Sequence, residues 1–240
     1  MLKIGCISPS VVQLPWDLNE FLPAEVCAIV ATLNNRNGRP GEEERANAAL
    51  PGAVNVLADE GAAAIVVQGV PNAARRGCAA DQQLFAELGR ERNVPIVSSL
   101  MATVLASLHL GVRHALLVTQ YDDAANEKVV AYCRAAGLSV DAAAGLGCRN
   151  AAEVNAKGSA DYDALARRTL PRYPLTDAVI VFARGNMAAI ARALELEAGL
   201  PVIEQTQATA WWSLSKLGLA APGGRSMLLS SGALQSVVTA

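Results

Sequence analysis

The sequence predicts an α/β protein of two similar lobes, each a short parallel sheet flanked by helices, with a cleft between them. Three observations carry this expectation. Short β-branched runs alternate with longer alanine-rich stretches of helical period, which is the pattern of parallel strands joined by crossover helices. Apolar residues make up 52% of the 240 residues, with 18% charged and 4% aromatic, so the core must be built from Ala, Val, Leu and Ile. A strand and helix unit also occurs twice.

In chain order, residues 3–7, 26–31, 63–67, 95–98, 115–119, 178–182, 201–203 and 226–229 read as strands. Residues 42–60, 78–92, 100–110, 123–136, 162–172, 187–198 and 206–217 read as helices. The repeat aligns "VPIVSSLMATVLASLHLG" with "LPVIEQTQATAWWSLSKLG". Pro95 matches Pro201, Ala102 matches Ala208 and Ser107 matches Ser213, each at an offset of 106. A strand and turn precede each copy, "AAIVVQGVPN" and "DAVIVFARGN". Residues 1–113 with 219–240 are assigned to the first lobe and 114–218 to the second. Loops at the carboxyl ends of parallel strands collect ligands, so "QGVPN" and "ARGN" are expected to be opposing walls of one pocket.

The charge balance is nearly even, 20 Lys+Arg against 22 Asp+Glu, without a basic block to follow a phosphate backbone, and nucleic acid is not expected as a partner. Apolar runs such as 62–67 are too short to span a bilayer, and "MLKIGCISPS" enters a strand without an export signal, so a cytoplasmic protein with no membrane partner is expected. Five cysteines at wide spacings form no C-x-x-C pair, and most are expected to be reduced and structural. His109 and His114 are five apart, off the i, i+4 spacing of helical metal ligands, and are expected on the outside. No metal and no cofactor is expected.

Four segments resemble the aspartate/glutamate racemase superfamily, in particular its arylmalonate decarboxylase and maleate cis-trans isomerase branch: "IGCISPS", "GAAAIVVQGVPNAARRG", "VPIVSSLMATVLASLHLGVRHALLVTQYDDAANEKV", and "DAVIVFARGN" with "GLPVIEQTQATAWW". The third is the most specific, through its Leu-Gly-Val turn, Thr119, Tyr121 and Asn126-Glu127. The resemblance implies pseudo-twofold-related lobes, a small-carboxylate pocket between them, and chemistry at the carbon beside a carboxylate by one or two cysteine thiols. The matching positions here are Val70 or Pro71 in the first lobe and Ala183 in the second, so neither thiol is present. Val, Pro and Ala neither move a proton nor add to an alkene, and the thiol routes to racemisation and isomerisation lose their support. Cys78, about two helical turns beyond the loop, and Cys6, inside the first strand, are poor substitutes.

What remains is a set of binding groups. Backbone amides at the Gly69 and Gly185 turns are candidates to hold a carboxylate or enolate. Pro71 removes one such donor and also starts a helix well; Asn72 either offers its amide or caps that helix. Tyr121 matches a family tyrosine that contacts the substrate carboxylate or enediolate, with a buried structural role as the alternative. Asp122 and Asp123 read as helix caps. Arg184 either clamps a carboxylate or points to solvent. Ser98 and Ser99 stand opposite Glu204, Gln205 and Thr206 in the repeat, and Glu204 is the best general-base candidate. Pro9, Ser10 and Gln13 are expected at the rim, and Asn186 beside Ala183. Trp211 and Trp212 cannot face the same way, so one is expected in the core and the other at the cleft or an interface.

The expected activity is a cofactor-free lyase or isomerase on a small carboxylate or dicarboxylate, decarboxylase-like, with catalytic roles for Tyr121, Arg184 and Glu204. Decarboxylation needs no base, only charge stabilisation and a later proton donor. The alternatives are a hydrolase in which Glu204 or Tyr121 directs water, and a catalytically silent carboxylate-binding relative. The expected partner is the small-molecule carboxylate, with a homo-oligomer possible.

Overall fold

In the computed structural model, which describes residues 1–10, 16–35, 41–185, 187–222 and 226–232, two four-stranded parallel sheets carry the chain. The first contains β1 (Leu2–Ser8), β2 (Val26–Thr32), β3 (Ala62–Val67) and β4 (Ile96–Ser98), in the order β2-β1-β3-β4. The second contains β5 (Ala115–Tyr121), β6 (Val140–Cys148), β7 (Ala178–Phe182) and β8 (Val202–Glu204), in the equivalent order β6-β5-β7-β8. The central strands are apolar almost throughout; residues 178–182 are all buried, as expected of parallel strands covered on both faces.

Helices cross between them: α1 (Glu42–Asp59), α2 (Val70–Arg76), α3 (Cys78–Arg92) and α4 (Ser99–His109) in the first half of the chain. In the second half come α5 (Asp123–Ala135), α6 (Ala151–Asn155), α7 (Ser159–Thr169), α8 (Ala188–Ala198), α9 (Gln205–Lys216) and α10 (Met227–Ser230). The repeat is visible in detail. Ser98 caps α4 through the Met101 amide, and Glu204, 106 residues on, caps α9 through the Gln207 amide. The helices before them, α3 and α8, end on left-handed residues at the same offset, Asn93 and Gly199.

The two repeat helices α4 and α9 pack on each other. Their facing surfaces are small: Ala102, Ala106, Ala208 and Ala210 are buried, and the hydroxyls of Thr103 and Thr209 turn back to the carbonyls of Ser99 and Gln205 at 2.8 and 2.9 Å. One apolar cluster runs from Ile4 and Val66 through Val70 and Leu100 to Tyr121, Ile180 and Trp211, so the lobes share a core.

Several expectations are corrected. Residues 226–229 are not a strand: the Ser226 hydroxyl accepts the Leu229 amide at 3.2 Å and caps the turn of helix α10, which buries Leu228 and Leu229. The alanine- and glycine-rich β6 was not expected, because its strand character comes from pairing with β5 and not from β-branched residues. The short α6 was likewise not anticipated, whereas the helix start expected at Pro71 is present as α2. Trp211 and Trp212 are both buried, since the adjacent positions face different parts of one core. His109 is not simply outside; it is half-buried, tilted against Trp211 and bonded to the Ser231 hydroxyl at 3.1 Å. Among the described residues no helix is long and apolar enough to cross a membrane.

Candidate active site

Along the seam between the lobes the carboxyl ends of β3 and β4 meet that of β8, where Gln205 bonds Gln68 and Ser99, and α2, which follows β3, packs on α5, which follows β5. On the first-lobe side, Gly69 sits at φ +114°, in the left-handed region that a side chain resists, and turns β3 into α2. A Cβ built on it would lie 3.8 Å from Pro9 Cγ and 3.6 Å from Asn72 Nδ2, so the β1 and β3 loops adjoin. Ser8 donates to the Ser10 carbonyl at 2.8 Å, while the buried Ser10 hydroxyl has no partner among the described residues. Val70 is buried; Pro71 and Asn72 are half-buried. The cap of α2 is Gly69 and not Asn72, whose Oδ1 instead accepts from Arg75 at 2.7 Å within the helix.

Gln205 joins the lobes. Its amide donates to Gln68 Oε1 at 2.6 Å and to the buried Ser99 hydroxyl at 3.2 Å. Ser98 points away from this junction. It donates to Asp81 Oδ2 at 2.5 Å, and the same oxygen accepts from Tyr132 on α5 at 2.6 Å. Arg76 closes on the other Asp81 oxygen at 2.7 and 3.0 Å. This is a second buried polar tie between the lobes.

On the second-lobe side, the Tyr121 backbone is held by its neighbours. Its amide donates to Thr119 Oγ1 at 3.1 Å, and that hydroxyl donates to Asn126 Oδ1 at 2.7 Å. Gly145 on β6 lies so close that an added Cβ would sit 2.1 Å from the Tyr121 carbonyl oxygen. Burial pushes the Tyr121 phenol well above its ordinary value, with Tyr162 adding to the rise and the Gln120 hydrogen bond and Arg184 opposing it. It is therefore a protonated donor at neutral pH. Tyr162 donates to Gln120 Oε1 at 3.2 Å and is itself pushed up to about 12, chiefly by burial.

Arg184 is half-buried next to both phenols, and burial lowers the proton affinity of its guanidinium. It donates to Asn155 Oδ1, and its buried Nε has no partner among the described residues. One guanidinium nitrogen is thus tied to Asn155 at the surface while the buried Nε is left unsatisfied. Ala183 is half-buried and Gly185 exposed at φ +89°; Asn186, like Gln13, lies outside the described residues.

Glu204 is fully enclosed. Its oxygens accept from the Thr206 hydroxyl at 3.0 Å and the Gln207 amide at 3.1 Å, and burial pushes it up to about 7 despite these bonds. It has the proton affinity of a general base and the placement of a helix cap. Asp122 caps α5 through the Ala125 amide at 3.0 Å. The thiols of Cys6 and Cys133 are pushed up to about 12 by burial, and those of Cys78 and Cys148 are also raised, which disfavours a thiolate. Among the described residues no three of His, Cys, Asp and Glu are grouped to hold a metal.

Tyr162 was not among the expected site residues, and Gln68 and Gln205, though expected in the pocket wall and at the strand end, were given no role. The two glutamines had a signal, their places at matching strand ends; Tyr162, 41 positions from Tyr121 on another element, had none.

Residues 44–229 match a family model described as arylmalonate decarboxylase. No curated protein matches by sequence. Among solved structures, a liganded double mutant of arylmalonate decarboxylase superposes with a TM-score of 0.87 at 20% identity, over 97% of this chain and 100% of that one. A maleate cis-trans isomerase mutant of Nocardia farcinica with a covalently bound succinylcysteine intermediate gives 0.82 at 24%, over 95% and 98%. The maleate isomerase of Pseudomonas putida S16, as a cysteine-to-alanine mutant with maleate, gives 0.85 at 19%, over 98% and 99%.

Proposed function

The chain belongs to the arylmalonate decarboxylase family, and from that premise we propose that it is a lyase that decarboxylates a small malonate-type dicarboxylate without a cofactor and without a cysteine nucleophile. The observation that carries this reading is Arg184, half-buried with a Nε that has no partner among the described residues, beside the protonated Tyr121 phenol at the carboxyl ends of β5 and β7. A cation and a neutral donor together suit a carboxylate that gains charge during the reaction.

In this reading Arg184 holds the retained carboxylate. The bond from the α carbon to the other carboxylate breaks, carbon dioxide leaves, and the electron pair moves onto the retained carboxylate as an enediolate. Tyr121 donates a hydrogen bond to that oxyanion, then gives its proton to the α carbon and recovers one from water. Val70, Pro71 and Ala183 provide apolar walls for the substituent. Maleate isomerisation by thiol addition has no residue to perform it at these positions.

The test is incubation with malonates, maleate and amino acids in deuterated water. Malonate loss with deuterium at the α carbon is expected, with kcat lowered about 100- to 1,000-fold in Tyr121→Phe and KM raised in Arg184→Met. Thermal stabilisation by carboxylates with no turnover would replace this reading with a silent binding protein.

A further inference from the structure

A cavity of about 530 Å³ opens on the first lobe between α3, β4, α4 and the end of α9, reaching Ser98 at the end of β4 but with none of Gly69, Ser99, Tyr121, Arg184 or Gln205 in its walls. Its walls are apolar: Phe85, Ile96, Met101, Leu105 and Trp212. Arg90 and Lys216 line it as exposed cations without an ion pair among the described residues, and Lys216 lies over the Trp212 ring at 5.7 Å. The one carboxylate in the lining, Asp81, is already paired with Arg76.

The repeat shows what such a recess holds in the second lobe. At the offset of 106, β4 corresponds to β8, Leu105 to Trp211 and Gly89 to Glu195. There the groove is filled by the chain itself. The Met227 amide donates to Glu195 Oε2 at 3.0 Å, the Trp211 indole donates to the Gly232 carbonyl at 2.9 Å, and Leu228 and Leu229 are buried. In the first lobe the anchoring carboxylate is replaced by Gly89 and the filling indole by the smaller Leu105, leaving an open trough. Its net lining charge is positive, where the filled twin uses an acid to hold backbone amides.

We propose that this trough is a binding site for an amphipathic monocarboxylate, whose acyl or aryl body lies on Phe85, Ile96, Met101 and Trp212 and whose carboxylate is held by Arg90 and Lys216. The volume is in the range of small-molecule sites, and an apolar body with one anion matches a trough carrying unpaired cations. The site is distinct from the seam that holds Tyr121 and Arg184, so it goes beyond the proposed reaction.

The test is displacement of anilinonaphthalene sulfonate by octanoate. Octanoate is expected to displace the dye and octylamine is not. Arg90→Glu with Lys216→Glu should weaken octanoate by about tenfold or more, a change of about 1.4 kcal/mol. Leu105→Trp, which copies the filled twin, should abolish binding while keeping a cooperative melt, and Arg184→Met should leave binding unchanged. Octanol competing as well as octanoate, or full octanoate affinity in the charge-reversed variant, would overturn the assignment. A synthetic SMLLSS peptide displacing the dye where octanoate does not would overturn it in favour of a polypeptide ligand.

Discussion

Replacing Glu204 by glutamine should abolish the pH dependence that this one group imposes on stability. The folded protein holds the Glu204 proton up to about pH 7, against 4.5 for the ordinary carboxyl. Between those values the folded state binds the extra proton, so stability falls as pH rises, and the loss is complete above about 7. At 1.36 kcal/mol for each tenfold change in proton affinity, the full effect is about 3 kcal/mol, most of it between pH 5 and pH 8. Glu204→Gln is neutral throughout and keeps a carbonyl oxygen for the Gln207 amide, so its stability relative to the parent should rise by about that amount across the interval. In melting temperature this is about 6 to 12 °C for a chain of this size. Urea titrations of both proteins at pH 5, 6, 7 and 8 measure it. A difference that stays constant across the four values would refute the argument that burial governs Glu204. Loss of malonate turnover in the variant with unchanged melts would instead return Glu204 to the role of base.

Arg76→Met strands the buried Asp81 carboxylate without its cation, and should cost about 3 to 5 kcal/mol in urea unfolding; Tyr132→Phe, which removes one bond to the same charge, should cost about 1.5 to 3. Gly145→Ala drives a methyl against the Tyr121 carbonyl and should destabilise by about 3 kcal/mol or more, with turnover falling alongside because the phenol is displaced. Gln205→Leu leaves Ser99 without its cross-lobe donor and should cost about 1 to 3 kcal/mol, read as a lowered urea midpoint with an unchanged slope.

Much of the candidate site was legible as positions and little of it as partnerships. The motif Thr119, Tyr121, Asn126 stood out in the sequence, and the structure explains the spacing: the threonine hydroxyl accepts a hydrogen bond from the tyrosine amide and donates one to the asparagine Oδ1. Asp122 was readable as a cap for the same local reason. Glu204 was readable as a carboxylate at a strand end but not as a cap, because its match in the other repeat, Ser98, caps with a hydroxyl and no charge. Arg184 could not be resolved between clamp and solvent, since its neighbours Tyr121, Asn155 and Tyr162 come from three other elements.

The sequence by itself determined the alternation of strands and helices, the doubling of the fold and the absence of thiols at Val70, Pro71 and Ala183, because periodicity, capping and residue identity act over a few neighbouring positions. Tertiary structure alone decided that Gln205 would reach Gln68 across 137 residues, that Asp81 would tie α3 to α5, and that 226–230 would be a helical turn plugging one lobe while the equivalent trough in the other stays open. Those outcomes depend on which surfaces meet once the two sheets share a core, and no local pattern encodes the meeting.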